Sequence, residues 1–247
     1  MKQVVVITGA AQGLGLVLAQ RFHAAGACVV VTDVDQAKAA EAAGSLDHSG
    51  ERAIAIKLDV TKKQDFEDAL GTAIERFGAV TALVNNAAMT PTTPVMEISA
   101  DEFDRVIAIN QRGTFFGCQV FGQYFAGQGY GRIVNMASLA GQNGGTASGA
   151  HYASTKGAIL TLTKIFARQL AANGVTVNAV APGPMDLPSV HAAVPADKLN
   201  AIINDMIPVK KLGDAGFVAD LVVSIAAENA GFATGATFDV NGGIFMR

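Results

Sequence analysis

Short runs of β-branched and other apolar residues recur along the chain, separated by longer stretches of mixed polarity. Most of these runs are apolar at nearly every position, which is typical of strands buried on both faces of a parallel sheet. The runs predict strands at residues 4–8, 28–33, 53–58, 82–85, 132–136, 175–180 and 236–240.

The stretches between these runs are rich in alanine and predict helices. The predicted helices lie at residues 13–25, 36–46, 62–77, 100–126, 152–173 and 215–228. Regular alternation of strands and helices is typical of βαβ units with right-handed crossovers. The sequence therefore predicts an α/β fold, with a single Rossmann-type doubly wound parallel sheet of about seven strands and helices on both faces.

Two segments interrupt this alternation. Residues 139–150 are rich in glycine and other small residues, and residues 182–206 contain four prolines. Long irregular segments in a compact fold often carry function, so we expect residues 184–206 to be a mobile substrate-binding segment. No linker, internal repeat or low-complexity tract divides the sequence, which indicates one domain over residues 1–247.

Composition and charge exclude several functional classes. Half of the residues are hydrophobic, 16% are charged, and the formal net charge is −3 with no cluster of Lys or Arg. Neither a nucleic-acid nor a membrane partner is therefore expected. Cys28 and Cys118 lie in apolar runs, which indicates buried thiols rather than a disulfide framework or a metal site. The sequence carries no secretory signal and no run long enough to span a bilayer, so we expect a cytoplasmic protein.

A glycine-rich turn follows the first predicted strand. Gly9, Gly13 and Gly15, with Gln12 and Leu14 between them, lead directly into the first predicted helix. Glycines there let the backbone turn tightly and approach a pyrophosphate, and the helix N-terminus offers free N–H groups to the anion. A tight structural turn is the alternative, but the strand–turn–helix context favours a dinucleotide site.

Asp33, at the end of the second predicted strand, bears on the choice of cofactor. A carboxylate at this position accepts hydrogen bonds from the adenosine-ribose hydroxyls and repels a 2′-phosphate. Its neighbours Thr32 and Val34 are uncharged, as is Gln12 in the glycine turn. The alternative role, capping the next helix, suits Asp35 better. We therefore predict NAD rather than NADP.

A tyrosine and a lysine stand one helical turn apart and suggest acid/base chemistry. The i, i+4 spacing of Tyr152 and Lys156 places both on one face of a helix. An ammonium and the positive charge of oxidised nicotinamide favour the phenolate of a tyrosine, although such a pair also occurs on plain exposed helices. Ser138 follows the strand predicted at 132–136, so its hydroxyl should lie at the same sheet edge and donate to a substrate oxygen.

The glycine turn, Asp33, Ser138, Tyr152 and Lys156 together make the whole chain resemble the short-chain dehydrogenase/reductase family. Thr8-Gly9-x-x-x-Gly13-x-Gly15 matches the cofactor turn of that family. Four further matches are the adenine-contacting pair Asp59-Val60, the motif Asn85-Asn86-Ala87-Ala88, the relay residue Asn110, and Pro182-Gly183 at the nicotinamide. Two positions depart from the family pattern: Ala88 replaces a usual Gly, and Leu187 stands where a Thr often meets the nicotinamide carboxamide.

The resemblance implies the roles of these residues. Tyr152 exchanges a proton with the substrate, Ser138 hydrogen-bonds the reacting oxygen, Lys156 lowers the tyrosine pKa and binds the nicotinamide ribose, and Asn110 anchors a water that relays protons. No metal is implied. The implied cofactor-binding residues are Gly9, Gln12, Gly13, Leu14, Gly15, Asp33, Asp59, Val60, Asn86, Ala87, Tyr152, Lys156, Pro182 and Gly183.

The substrate is expected to bind between residues 88–94, 139–150 and 184–206, which are mostly small or apolar. No Arg or Lys in them provides an anionic anchor, although Gln142, Asn143 and His151 could form hydrogen bonds; packing or capping suits His151 better. An uncharged secondary alcohol or ketone is favoured.

Other functions stay open. A 3-oxoacyl-thioester reductase is the second reading, although such relatives usually use NADPH. A non-catalytic dinucleotide-binding regulator is the third, although such proteins usually lack the Tyr or Lys. The resemblance also implies a homotetramer.

Overall fold

The predicted sheet is present in the computed structural model, which describes residues 2–145 and 149–246 apart from the side chains at 189 and 193. Seven strands pair in parallel in the order β3-β2-β1-β4-β5-β6-β7. They are β1 Val4–Thr8, β2 Cys28–Asp33, β3 Ala53–Lys57, β4 Ala82–Asn85, β5 Gly131–Met136, β6 Val175–Pro182 and β7 Thr237–Val240. The predicted fold class is confirmed.

Helices connect the strands. They are α1 Gly13–Ala24, α2 Gln36–Leu46, α3 Lys63–Phe77, α4 Ala100–Val106, α5 Gly113–Gln128, α6 Ala140–Asn143, α7 Ala150–Leu170, α8 Pro188–Ala193, α9 Ala196–Ala201 and α10 Ala215–Ile225. None of the helices in the described residues is long and apolar enough to cross a bilayer.

Two hydrophobic cores lie on opposite faces of the sheet. Alternate residues of β1 enter different cores: Val5 and Ile7 pack with α1, α2 and α10, whereas Val4 and Val6 pack with α3, α5 and α7. This alternation follows from the two-residue period of a strand. Because both faces are covered, the strands are apolar at nearly every position. Cys28 and Cys118 are buried free thiols in the second core, as predicted.

The direction of strand addition reverses beside β1. The chain adds β2 and β3 on one side of β1, then returns to add β4 and the later strands on the other side. Ligands in open α/β sheets bind in the crevice at the carboxyl ends of the strands at such a point. The residues that follow β1 and β4 therefore face a natural binding crevice.

The helix predicted at 100–126 is not a single α-helix. The segment Ile107–Arg112 is a π-helix between α4 and α5, and the N–H of Gly113 donates to the carbonyl of Ala108, five residues earlier. A π-turn holds one more residue than an α-turn, and it often marks a functional site. Hydrophobic periodicity does not resolve one extra residue, so the sequence predicted continuous helix.

The segment predicted as irregular at 182–206 is partly helical. It contains α8, α9 and a π-helical turn, Ile202–Met206. Pro188 is the first residue of α8, and Pro195 immediately precedes α9. A proline at the start of a helix costs no hydrogen bond, because the first N–H groups of a helix have no partner within it. The four prolines were therefore a poor sign of irregular structure.

Candidate active site

Glycine is required by close contacts in the turn after β1. At Gly9, where φ is +62°, an added Cβ would lie 2.8 Å from the Cα of Ala87. At Gly15 an added Cβ would overlap the carbonyl oxygen of Gly9. Gly13 differs, because no atom of the described residues lies within 4 Å of a Cβ placed there. Two of the three glycines thus allow the turn to pack, and the third stands beside open space.

The residues after β4 hold this turn in place. The Thr8 hydroxyl accepts hydrogen bonds from the N–H groups of Asn86 (2.9 Å) and Ala87 (3.0 Å). The Asn86 carboxamide donates to the carbonyls of Thr8 and Gly9, at 3.0 Å each. The predicted motif residues Asn86 and Ala87 therefore fix the shape of the glycine turn. Thr8 was matched only as part of the turn motif, and its bracing role was missed.

The start of α1 fits an anionic ligand. Helix α1 begins at Gly13, Gln12 gives it no side-chain capping hydrogen bond, and its first turn holds no acidic residue. The N–H groups of that turn are thus left without a side-chain acceptor, at the positive end of the helix dipole. The residues present fit the pyrophosphate of a nicotinamide dinucleotide.

Asp33 faces the glycine turn. One carboxylate oxygen accepts from the N–H of Asp35 at 3.1 Å, and the other lies 3.4 Å from the N–H of Ala11 in the turn. The carboxylate is half-buried and still has lone pairs for a ribose. Asp35 caps α2 by accepting from the N–H groups of Ala37 and Lys38. The choice of Asp35 as the cap is confirmed.

Asp59 and Val60 lie at the same sheet edge, just beyond β3. The Asp59 carboxylate accepts from the N–H and the hydroxyl of Thr61, at 3.0 and 2.7 Å. Val60 is buried against Gly113, where an added Cβ would lie 2.9 Å from the Val60 Cβ. This pair is therefore locked in shape, two strands away from the glycine turn.

One cavity brings together residues from both ends of the sequence. It measures about 410 Å³. The predicted site residues that line it are Leu14, Asn86, Ser138, Tyr152, Lys156, Pro182 and Gly183. The remaining predicted site residues lie outside its lining: Gly9, Gln12, Gly13, Gly15, Asp33, Asp59, Val60, Ala87 and Asn110.

The proposed acid/base residues are close together in this cavity. Ser138 hydrogen-bonds the Tyr152 hydroxyl. The Lys156 ammonium donates to the carbonyl of Met136 at 2.6 Å and lies 5.6 Å from the centre of the Tyr152 ring. Both Tyr152 and Lys156 lie within the first two turns of α7, which begins at Ala150.

The pKa values of the pair differ from expectation. Burial raises the pKa of Tyr152, and the hydrogen bond from Ser138 offsets only part of that effect. Burial lowers the pKa of Lys156 to about 8. We expected the ammonium of Lys156 to lower the pKa of Tyr152, but the shift of Tyr152 comes from its burial and from Ser138.

Asn110 lies in the π-helix and connects two parts of the site. Its carboxamide accepts from the N–H of Met89 at 2.8 Å and donates to the carbonyl of the same residue at 2.9 Å. It also donates to the Thr155 hydroxyl at 3.2 Å, and that hydroxyl donates to the carbonyl of Tyr152 at 2.7 Å. Asn110 thus couples the segment after β4 to α7. Its role in a proton relay stays a prediction.

Pro182 and Gly183 form the floor at the end of β6. The N–H of Gly183 donates to the carbonyl of Val240 at 2.8 Å, and an added Cβ would lie 2.9 Å from the Cα of Asn241. Leu187 also lines the cavity, so the departure from the family pattern places an aliphatic side chain in its wall.

The rest of the lining is largely apolar. It comes from all three segments that were expected to form the pocket, although residues 146–148 lie outside the described residues. Among the lining residues that the structure describes, Lys156 alone carries a formal charge. The apolar side chains of residues 185–206 that contribute are Met185, Leu187, Val190, Val194, Leu199, Ile202 and Met206.

Two of the three polar candidates for substrate contact lie elsewhere. Asn143 lines the cavity, but Gln142 donates to Asp239 at 2.5 Å and does not. His151 is completely buried, and its Nε2 lies 2.8 Å from the Glu102 carboxylate. The side chain before Tyr152 therefore points away from the cavity, which agrees with the packing role expected for it.

Similarity to known proteins extends over nearly the whole chain. A family model described as Enoyl-(Acyl carrier protein) reductase matches residues 9–245. A 2-(R)-hydroxypropyl-CoM dehydrogenase from Xanthobacter autotrophicus is 36% identical, covering 98% of each chain. A 3-oxoacyl-[acyl-carrier-protein] reductase from Staphylococcus epidermidis is 33% identical over 100% of both. A 2,5-dichloro-2,5-cyclohexadiene-1,4-diol dehydrogenase from Sphingobium indicum is 34% identical, covering 98% of this chain and 95% of its own.

The fold is a doubly wound α/β sheet, and the named relatives are oxidoreductases. The chain belongs to the short-chain dehydrogenase/reductase family.

Proposed function

We propose that this protein is an NAD(H)-dependent oxidoreductase that interconverts an uncharged secondary alcohol and a ketone. The observation that carries the proposal is the meeting of Ser138, Tyr152 and Lys156 in one cavity with Asn86 and Gly183. The names of the relatives above support it, since the substrate named in each carries a hydroxyl or a 3-oxo group.

Each side chain has a distinct task in this proposal. In the oxidative direction, the Tyr152 phenolate takes the proton from the substrate hydroxyl, and Ser138 holds the reacting oxygen beside it. Because burial raises the pKa of Tyr152, this phenolate requires the positive charges of Lys156 and of oxidised nicotinamide beside it. Lys156 supplies positive charge near the tyrosine and binds the nicotinamide ribose, while Asn110 anchors the relay water. A nicotinamide dinucleotide held by these residues would supply the hydride acceptor or donor.

Asp33 supports NAD over NADP. Its carboxylate lies beside the glycine turn, with one oxygen 3.4 Å from the N–H of Ala11. A 2′-phosphate placed at this edge would meet a like charge, which is costly in a partly buried site. The nearby cation Lys38 is paired with Asp35, at 3.6 Å.

The lining supports an uncharged substrate. An anionic group buried in a site needs a cation to pair with, and Lys156 is the one formally charged residue of the described lining. A 3-oxoacyl thioester is the second candidate, favoured by the Staphylococcus epidermidis relative that matches the full length of the chain. Acetoacetyl-CoA distinguishes this candidate from a simple ketone.

A homotetramer is also proposed. Phe115 of α5 and Phe166 of α7 lie with their ring centroids 5.7 Å apart, and neighbouring Ile165 is 55% exposed. On α10, Phe217 is 60% exposed. Apolar side chains on these outer helix faces suit contacts between subunits. Light scattering that gives the mass of a monomer would contradict this proposal.

The central experiment measures NADH formation. Secondary alcohols are assayed as substrates with NAD and with NADP. Ketones and acetoacetyl-CoA are assayed in the reductive direction. We expect turnover with NAD, and loss of at least about a thousandfold in kcat for Tyr152→Phe with unchanged NADH binding. Tyr130→Phe is the matched control, because it removes the same hydroxyl outside the cavity lining. Near-normal turnover by Tyr152→Phe would refute the acid/base role.

A further inference from the structure

The segment that follows β4 alternates between two environments. Ala88, Thr90 and Thr92 line the cavity, and all three are exposed. The residues between them, Met89 and Pro91, are half-buried and turned the other way. The segment is therefore an extended wall with one face toward the substrate and one face toward the protein.

The protein-facing side of this wall is fixed by hydrogen bonds to three other elements. Met89 binds Asn110, as described above. The carbonyl of Pro91 accepts from the N–H of Gly149 at 2.9 Å. The Thr93 hydroxyl donates to the Glu102 carboxylate at 2.7 Å. Since the segment is not a strand of the sheet, these contacts replace a ladder of backbone hydrogen bonds.

Glu102 and His151 join two of these fixing points. The same Glu102 oxygen that accepts from Thr93 lies 2.8 Å from the Nε2 of His151. His151 is completely buried, and its Nδ1 has no hydrogen-bond partner among residues 2–145 and 149–246. The hydrogen-bond pattern therefore assigns the proton to Nε2, because a proton on Nδ1 would be a buried donor without an acceptor.

The lack of a side chain at Gly149 makes room for the imidazole of His151. A Cβ at Gly149 would lie 2.6 Å from the Nδ1 of His151 and would overlap the neighbouring Cε1. It would also lie 3.1 Å from the carbonyl oxygen of Pro91. The ring therefore packs against the bare backbone that holds Pro91, one residue before α7 begins.

We infer that Glu102 and His151 are positioning residues that hold residues 88–93 as a wall of the substrate cavity and thereby set the size of the alcohol it admits. They act through Thr93 and Pro91 and do not line the cavity themselves. This inference rests on the proposed alcohol dehydrogenase function for its substrate but not for its structural part.

The test compares a small and a bulky alcohol, propan-2-ol and 1-phenylethanol, with NAD. In Glu102→Ala, loss of a charge-assisted hydrogen bond should lower kcat/KM for 1-phenylethanol about tenfold, mainly through KM. For propan-2-ol, which is too small to need the wall, the change should stay below about twofold. Glu102→Gln keeps an acceptor oxygen and should restore the wild-type ratio. Asp104→Ala, an exposed change on the same helix, is the control.

His151→Phe provides an independent variant, because it keeps an aromatic ring, although a larger one, and removes the donor. It should shift the ratio between the two alcohols in the same direction, and adding it to Glu102→Ala should bring little further change. An equal loss for both alcohols, or a Glu102→Gln variant as impaired as Glu102→Ala, would overturn the inference.

Amide exchange separates this inference from the proposed function. If the wild-type protein oxidises neither alcohol with NAD, the alcohol dehydrogenase proposal is in error. The positioning role is then decided by hydrogen exchange at Gly149, whose N–H holds Pro91. Exchange should accelerate more than about tenfold in Glu102→Ala and His151→Phe but not in Asp104→Ala. Unchanged exchange in the first two variants would refute the positioning role.

Discussion

The two halves of the crevice, one proposed to hold the dinucleotide and the other proposed to hold the substrate, are built in different ways. The dinucleotide half, around β1 to β3, consists of short turns in which backbone meets backbone, as at Gly9 and Gly15. The substrate half, beyond β4 to β6, consists of longer segments whose side chains are held by distant partners, as Thr93 is held by Glu102. The first half has no room for an added Cβ at Gly9 or Gly15, whereas the second half is adjustable through its anchors.

The largest expected effect comes from Gly15→Ala in the dinucleotide half. The added Cβ overlaps the Gly9 carbonyl, which is backbone and has no room to move. We expect a loss of about 3 kcal/mol in the free energy of unfolding and no measurable NADH binding. Gly44→Ala in α2, where nothing lies within 4 Å of the new Cβ, should stabilise by up to about 1 kcal/mol. Urea unfolding measures the stability of both variants, and NADH fluorescence measures their cofactor binding. Normal NADH binding by Gly15→Ala would contradict the view that the dinucleotide half has no room at this glycine.

The second prediction concerns the negative charge of Asp33 in the dinucleotide half. Asp33→Asn should raise the ratio of kcat/KM for NADP over NAD about 100-fold, because a like charge no longer faces the 2′-phosphate. Asp35→Asn removes the same charge two residues away and keeps a side chain able to cap α2. Its ratio should stay near that of the wild type. A preference of the wild-type protein for NADP would contradict the assignment of Asp33.

A third prediction concerns Lys156, whose pKa burial lowers to about 8 from 10.5. Between pH 8 and 10 the unfolded chain keeps this proton while the folded protein loses it, so the free energy of unfolding should rise with pH. Lys156→Met should remove about 2 kcal/mol of that rise. Lys164→Met, an exposed lysine on the same helix, should not change it. Urea titrations at pH 8 and pH 10 give the difference, and parallel profiles for wild type and Lys156→Met would count against a buried amine.

The smallest effect is expected at Leu187, in the substrate half. Leu187→Thr introduces the hydroxyl that the family resemblance leads us to expect at this position. NADH binding should then tighten about two- to threefold, the value of a modest hydrogen bond offset by lost packing. Val190→Thr makes a similar change farther along the cavity wall and should leave NADH binding unchanged. Fluorescence titration decides the matter. A larger Kd of Leu187→Thr for NADH would show that residue 187 does not reach the nicotinamide.

Sequence reasoning found most of the sheet because buried parallel strands such as β1 are apolar throughout. It also predicted that Ser138, Tyr152 and Lys156 would lie together, and they line one cavity; their roles stay predictions. It missed the contacts that depend on three-dimensional packing. Thr8 looks like any residue at the end of a strand, and the partners Glu102 and His151 are too far apart in the chain for their spacing to indicate contact. The proline-rich segment concealed α8 because Pro188 occupies a position where helices accept proline.

The π-helix at Ile107–Arg112 has a consequence for the length of the chain itself. Its wider turn acts as a one-residue insertion, and each residue added to or removed from a helix rotates everything beyond it by about 100°. Deleting one residue from this turn would restore an ordinary helix and turn Asn110 away from Met89 and Thr155, or else turn the buried face of α5 away from the core. The site and the core are therefore in phase only because the helix carries that extra residue.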